Sequence, residues 1–289
     1  MLKNHKDVLI IGAGVSGMTS AIYLKRFNLD VLLIESKYPG GQMTKTDIIE
    51  NYPGFISIDG FSLSEKIFEQ VKNLNIDYVN EEVISIDEKN LEVVTENKIY
   101  TARKIIIATG RKPKKLGIED NYINKGVSYC AICDGALYKD KIVAVVGSGD
   151  SAVSSAIYLS KICKEVYLLV RKDTLKAKDY LVSKLNEKVK ILFNKNVTNL
   201  YGEDKLEYVE LNNHDKLNVD GLFIYIGSIP NTNIINVDKE NGYILVDDKM
   251  KTSNPNIYAC GDVIKKDVYQ ITTAISDATI ASINCSKEL

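Results

Sequence analysis

The chain lacks any excess of charge of one sign. Its 37 lysines and arginines face 38 aspartates and glutamates, a formal net charge of -1 over 289 residues. That balance argues against broad electrostatic attachment to nucleic acid or to a membrane surface. It also lacks an apolar run long enough to span a bilayer. Histidine is scarce, with only His5 and His214, and cysteine stops at five, an odd number. Only Cys130 and Cys133 are closely spaced, so the cysteines do not form the framework of a secreted, disulfide-stapled domain. One functional dithiol in a cytosolic protein fits the spacing better. Low-complexity sequence is absent. The opening MLKNHKDVLIIGAG passes straight into a strand and a glycine turn, which leaves no room for a signal peptide. What is present is apolar material enough for two cores: 45% of residues are hydrophobic and 26% charged, so two domains are expected.

The chain repeats one pattern. Residues 7–11 (DVLII) read as a buried strand, followed by Gly12-Ala13-Gly14-Val15-Ser16-Gly17 and a helical stretch to about Phe27. A second strand, Val31 to Ile34, ends at Glu35. Residues 142–146 (IVAVV) restart the pattern with Gly147-Ser148-Gly149-Asp150-Ser151-Ala152, a helix to about Cys163, and a strand Val166 to Val170 ending at Arg171-Lys172. Each is a strand, glycine turn, helix, strand unit of the dinucleotide-binding type. Between them, 92–95 and 98–101 read as a hairpin and 104–108 as a separate buried strand ending in Thr109-Gly110. Residues 111–116 read as a polar linker. A strand at 222–226 ends at Gly227, Pro230-Asn231-Thr232 marks a second crossing, a strand at 257–260 ends in Gly261-Asp262, and 269–285 form a last helix. The expected fold is α/β with two Rossmann-like, FAD/NAD(P)-binding domains, the second inserted into the first. Residues 1–111 and 232–289 would bind FAD, and 112–231 would form an NAD(P)H-type domain carrying the dithiol.

A glycine turn lets backbone approach a pyrophosphate closely, and the helix behind it supplies free N–H groups and partial positive charge. The residue closing the next strand differs between the two units. Glu35 can accept hydrogen bonds from a ribose diol and would repel a 2′-phosphate, so the first cradle suits FAD or NAD. Arg171, Lys172 and Lys176 form a basic cluster that suits a 2′-phosphate, hence NADP. Ala152 stands where the first unit has Gly17, an accepted variant of the turn. The plain alternative for the three basic residues is a solvated edge.

Cysteines at i and i+3 meet across one helical turn, within disulfide reach. Closing so small a loop restrains the unfolded chain little, so a purely structural bridge is poorly motivated. A zinc half-site needs two more ligands, yet Cys163, Cys260 and Cys285 are scattered singly. Thiols in a C-x-x-C pair commonly have a depressed pKa. Asp134 follows directly and is placed to pass a proton to or from a thiol. No metal site is expected.

With these motifs the chain resembles the low-molecular-weight thioredoxin reductases over nearly its whole length. The resemblance rests on GAGVSG (12–17), GGQMT (40–44), ENYPG (50–54), IIATG (106–110), CAICDG (130–135), GSGDSA (147–152), IGSIPNT (226–232) and YACGDV (258–263). It implies that Gly12, Gly14 and Gly17 cradle the FAD pyrophosphate, with Glu35 on the adenosine ribose. Gln42 and Asn51 would contact the flavin end, Asp262 would hold the ribityl chain, and Gln270 would lie near the ring. Cys133 would receive electrons from the flavin, Cys130 would attack the disulfide of thioredoxin, and Asp134 would act as acid and base. Gly147, Gly149, Ala152, Arg171, Lys172 and Lys176 would hold NADPH. The resemblance also implies a swing of the inserted domain about linkers near 111–115 and 228–232, a cytoplasmic location and a homodimer.

The match frays on the electron-donor side. The family's clamp usually reads His-Arg-Arg-x-x-x-Arg; here it reads Val170-Arg171-Lys172-Asp173-Thr174-Leu175-Lys176. Lysine keeps the charge but not the planar bidentate fork of arginine. The family's arginine before the C-terminal glutamine is Tyr269 here. A branch of the family takes electrons from ferredoxin and lacks a working NADPH site. NADPH and ferredoxin are therefore rival donors, with NADPH ahead because the second cradle and three basic residues remain. Two further readings are a ferredoxin–NADP reductase-like flavoprotein, which has no use for the dithiol, and a flavin-binding sensor that uses it as a switch.

Overall fold

The structure, a computed structural model, describes residues 5–46 and 49–289. The chain folds as two units: Met1–Lys112 with Ile229–Leu289, and the continuous segment Pro113–Ser228 set between them. The first unit opens with β1 (His5–Ile11), α1 (Val15–Arg26) and β2 (Val31–Glu35). It continues with α2 (Gly60–Asn73), β3 (Asp77–Asn80), β4 (Val83–Asp87), β5 (Glu92–Thr95) and β6 (Ile99–Ile107). The sheet runs β3-β2-β1-β6-β5-β4, parallel through β6 and antiparallel beyond it. Val8 and Ile10 join a core with Met18 and Leu24 of α1 and Ile67 of α2. Leu9 and Ile11 join another with Ile86 and Val93. Burial on both faces is why this strand is apolar at successive positions rather than alternating.

The sequence predicts two strands between 98 and 108; the structure has one. β1 pairs along its length with β6, from His5 opposite Thr101 to Ile11 opposite Ile107. The gap between the two predicted strands, Ala102-Arg103, lies inside the one observed strand. Arg103 reaches Asp7 at 3.2 Å on the surface, and the buried Lys104 places its ammonium 2.7 Å from Glu288 and 2.9 Å from Asn256. The linker is also more ordered than its composition suggests, because Arg111–Pro113 forms a short strand, β7.

The second unit contains β8 (Val127–Ser128), α3 (Ala131–Asp134), β9 (Ile142–Val146), α4 (Asp150–Ser160), β10 (Glu165–Val170) and α5 (Asp179–Val182). Then come β11 (Val189–Phe193), β12 (Val197–Tyr201), β13 (Tyr208–Leu211), β14 (Lys216–Asn218) and β15 (Gly221–Ile224). A parallel sheet β11-β10-β9-β15-β8 is covered on one face by α4 and on the other by the antiparallel β12-β13-β14 sheet. Val143 and Val145 pack with Val153, Ala156 and Leu159; Ala144 and Val146 pack with Leu200, Val209 and Leu211.

The chain returns through β16 (Ser228–Pro230), which pairs with β7. β17 (Lys239–Glu240), β18 (Tyr243–Ile244), β19 (Ile257–Ala259) and α6 (Ile271–Ser286) complete the first unit. β19 takes up the edge of β6 beyond the point where β5 leaves it, with Ile257 opposite Ile105. α6 packs against α1 through small side chains, with Ala278, Ala281 and Cys285 buried beside Ala21 and Leu24. Among the described residues, no helix is long and apolar enough to cross a membrane.

Candidate active site

In the first unit the three cradle glycines divide into two kinds. Gly12 has φ +101°, and a Cβ there would stand 2.5 Å from the Ala108 carbonyl oxygen. A Cβ on Gly17 would stand 1.7 Å from the Gly12 carbonyl oxygen. These two glycines let α1 close down on the strand ends. Around Gly14 there is, among the described residues, no atom within 4 Å of such a Cβ. Gly14 is the N-cap of α1, and among the described residues no side chain caps the helix. An uncapped helix N-terminus facing open space is a seat for an anion. At the end of β2, Glu35 accepts N–H groups from Ala13 at 2.8 Å and Lys37 at 3.0 Å, which fixes its carboxylate beside the turn.

The same unit gathers the other residues expected around a flavin. Gln42 lies in the 3-10 turn Gly41–Lys45 and donates to the Arg111 carbonyl oxygen at 3.0 Å. Asn51 donates to Gln270 at 3.0 Å, and Gln270 is the N-cap of α6, tied to Thr273 in a capping box. A Cβ on Gly261 would lie 2.1 Å from Ser16 Oγ, so the loop after β19 rests on the first turn of α1. Asp262 on that loop has its carboxyl pKa pushed up by burial, opposed by the charges of Lys266 and Arg111. An open phosphate seat, a fixed carboxylate for a ribose, and amides with a half-buried carboxyl further along fit FAD.

The second unit repeats the device. Gly147 has φ +148°, and a Cβ there would meet the Tyr225 carbonyl oxygen at 2.3 Å, whereas Gly149 faces open space. Ala152 is buried behind the turn. The Lys176 and Ala177 N–H groups both donate to Ser148 O, at 2.7 and 2.9 Å, and the Lys178 N–H donates to Asp150 at 2.9 Å. The basic segment is thereby folded back onto the glycine turn. The Arg171, Lys172 and Lys176 side chains are exposed, and none forms an ion pair among the described residues. This cradle fits a pyridine nucleotide.

Cys130 and Cys133 form a disulfide with their Cα atoms 5.3 Å apart. Cys130 is the N-cap of α3, and its sulfur accepts the Cys133 N–H at 3.2 Å. Cys130 is buried and Cys133 exposed. Asp134 receives a hydrogen bond from Ser128 Oγ at 2.6 Å, and the same hydroxyl accepts the Cys130 N–H at 2.9 Å. Ser128 therefore ties acid and dithiol together. The Ala131 N–H is taken by the Tyr225 hydroxyl at 2.7 Å, and burial pushes that phenol's pKa up. Sequence reasoning missed both residues. The spacing of Ser128, two before the first cysteine, offered a signal; nothing local marks Tyr225, which arrives from the end of β15. Cys163, Cys260 and Cys285 are buried and unpaired, and burial pushes their thiols up to about 11, 12 and 12.

Residues 6–278 match the family model described as pyridine nucleotide-disulphide oxidoreductase. A thioredoxin reductase of Ureaplasma parvum is 42% identical over 292 residues, covering 96% of this chain and 94% of that protein. The crystal structure of Lactococcus lactis thioredoxin reductase superposes with a TM-score of 0.91 at 36% identity, covering 98% of this chain and all of the other. A ferredoxin-flavin thioredoxin reductase from Clostridium acetobutylicum aligns at 32% identity with a TM-score of 0.56, covering 98% of both chains. The fold, the cradles and the dithiol thus meet in one class, the flavoprotein disulfide oxidoreductases. The chain belongs to the low-molecular-weight thioredoxin reductase family.

Proposed function

We propose that the protein reduces thioredoxin, passing electrons from NADPH through FAD in the first unit to the Cys130–Cys133 disulfide and on to thioredoxin. The carrying observation is the dithiol turn itself: a disulfide on a helical N-terminus, with a carboxylate hydrogen-bonded into the same turn. Bound FAD supplies a two-electron link between nicotinamide and disulfide. Gly12, Gly14 and Gly17 seat its pyrophosphate, Glu35 its ribose, and Gln42, Asn51, Asp262 and Gln270 its other end. Gly147, Gly149, Ala152, Arg171, Lys172 and Lys176 receive the nicotinamide nucleotide.

Two electrons break the Cys130–Cys133 bond and leave a thiolate and, with one proton, a thiol. The Cys130 thiolate then attacks one sulfur of the thioredoxin disulfide and expels the other. Cys133 next attacks Cys130 Sγ, which restores the original disulfide and releases dithiol thioredoxin. Asp134, oriented by Ser128, carries the proton in and out of this exchange. The burial of Cys130 means that it must be uncovered before thioredoxin can reach it. The strand pair β7 and β16 is where the units would turn for that. Leu137, four residues after Cys133 and exposed, offers thioredoxin apolar surface beside the dithiol.

Cys133→Ser should bind FAD normally and lose thioredoxin-dependent turnover; a fully active variant would refute the scheme. Ferredoxin as donor is the second reading. It is favoured by Val170, Lys172 and Lys176 in the clamp and by the likeness to the Clostridium acetobutylicum structure. Anaerobic mixing with NADPH, NADH or reduced ferredoxin, followed by flavin bleaching, separates the donors. Fast bleaching by NADPH removes ferredoxin from consideration. A cytoplasmic homodimer is part of the same proposal. Tyr38, Phe55, Ile56 and Phe61, all exposed on the first unit, offer apolar surface for the second copy.

A further inference from the structure

Two cations stand near Asp262: Lys266 and Arg111. Lys266 is neutralised, its ammonium 2.7 Å from Asp277 and 3.7 Å from Asp262. Arg111 is not. Its guanidinium lies 4.6 Å from the ring centroid of Tyr269 and 5.7 Å from that of Tyr243, and the two rings are 5.6 Å apart. Among the described residues it forms no ion pair, and its Nε is buried without an acceptor. Stacking on aromatic faces fixes the guanidinium plane but does not satisfy its N–H donors. A held, charged donor that lacks an acceptor points to one supplied by a ligand.

The surroundings identify the ligand. The Arg111 carbonyl oxygen takes the Gln42 amide at 3.0 Å, Tyr269 directly precedes Gln270, and Asp262 feels the Arg111 charge. These are the residues assigned to the flavin end of the cofactor. Position 269, where the resemblance expects arginine, carries tyrosine, and that ring is now the shelf for an arginine from another element.

We infer that Arg111 is the cation of the flavin site and that it favours the reduced flavin over the oxidised one. Reduction adds negative charge to the ring system, and a guanidinium held beside that charge binds it more strongly than the neutral oxidised ring. Arg111 acts on the potential rather than on the thiol chemistry. The inference rests on the first unit binding FAD.

The test uses full-length holoprotein carrying Arg111→Gln or Arg111→Lys. Midpoint potentials are measured by anaerobic equilibration with a reference dye, and sulfite affinity by titration of the flavin spectrum. Arg111→Gln should weaken the preference for reduced flavin about tenfold, ~30 mV for a two-electron couple, and weaken the sulfite adduct in parallel. Arg111→Lys should recover part of both. An Arg111→Gln potential equal to wild type overturns the inference. So does loss of FAD from that variant with unchanged melting of the apoprotein, which would make Arg111 an anchor. Should Arg111→Gln fail to fold, Tyr269→Leu carries the test: it removes the shelf, and an unchanged potential overturns the inference. Wild-type protein that takes up no FAD would instead sink the proposed function.

Discussion

Gly14 and Gly17 sit in the same turn, and alanine at each should have opposite consequences. At Gly17 a methyl would lie 1.7 Å from the Gly12 carbonyl oxygen, an approach that only backbone movement relieves. Overpacking of this kind costs about 1–3 kcal/mol or more. For a unit of this size each kcal/mol lowers the melting temperature by about 2–4 °C. At Gly14 a methyl meets nothing within 4 Å among the described residues, and the backbone, at φ -69° and ψ -178°, suits alanine. The remaining cost is that of alanine for glycine at an N-cap, under about 1 kcal/mol. The methyl does, however, fill the space through which a pyrophosphate would reach the helix N–H groups. Losing two charge-assisted hydrogen bonds at about 1.5 kcal/mol each weakens binding by about a hundredfold. Apoprotein melts and FAD titrations followed by flavin fluorescence read the two effects separately. Gly17→Ala should lose stability outright, and Gly14→Ala should keep its fold and lose FAD. A Gly14→Ala protein that binds FAD as tightly as wild type would refute the assignment of that open space.

Three further outcomes are expected. Ser128→Ala should leave the disulfide in place but slow thioredoxin reduction, because the Asp134 carboxylate loses the hydroxyl that orients it; Ser128→Thr should restore much of the rate, and an alanine variant as fast as wild type would count against that role. Glu288 has its carboxyl held down to about 2 by Lys104 and then Lys251, so its contribution is fully present above the ordinary value of 4.5 and is lost as pH falls toward 2. With the side chain 35% exposed, solvent screening limits that contribution to roughly 1 kcal/mol, and denaturant melts of Glu288→Gln should converge with wild type in acid. After reduction, alkylation of the native protein near neutral pH should modify Cys133 first and Cys130 more slowly. Cys163, Cys260 and Cys285 should stay unmodified until the protein is denatured, as mass spectrometry would report.

Much of this fold is legible in the sequence because parallel strands buried on both faces are short continuous apolar runs. DVLII and IVAVV, each closed by a glycine turn, could be little else. β6 was legible only as two pieces, 98–101 and 104–108, because the sequence does not show that Arg103 meets Asp7 of β1 and Lys104 meets Glu288 at the chain end. The dithiol and the glycine turns are contiguous, so their chemistry is visible along the chain. Ser128, Tyr225 and Arg111 act through distant partners: a carboxylate six residues on, a backbone N–H from another element, and two rings more than a hundred residues away. The spacing of Ser128 from the first cysteine hints at its meeting; nothing local encodes those of Tyr225 and Arg111.

The crossings at β7 and β16 run side by side. On the first-unit side Asn231 donates to Gly110 at 2.9 Å, and on the second-unit side Lys114 donates to Gly227 at 2.9 Å. The entry and exit of residues 113–228 are therefore about one strand spacing apart, roughly 5 Å. Such a segment is a cassette. Its ends can be joined by a short turn at little closure entropy, so it is open to excision as a free-standing domain, and the remaining halves of the first unit can be rejoined across the same gap.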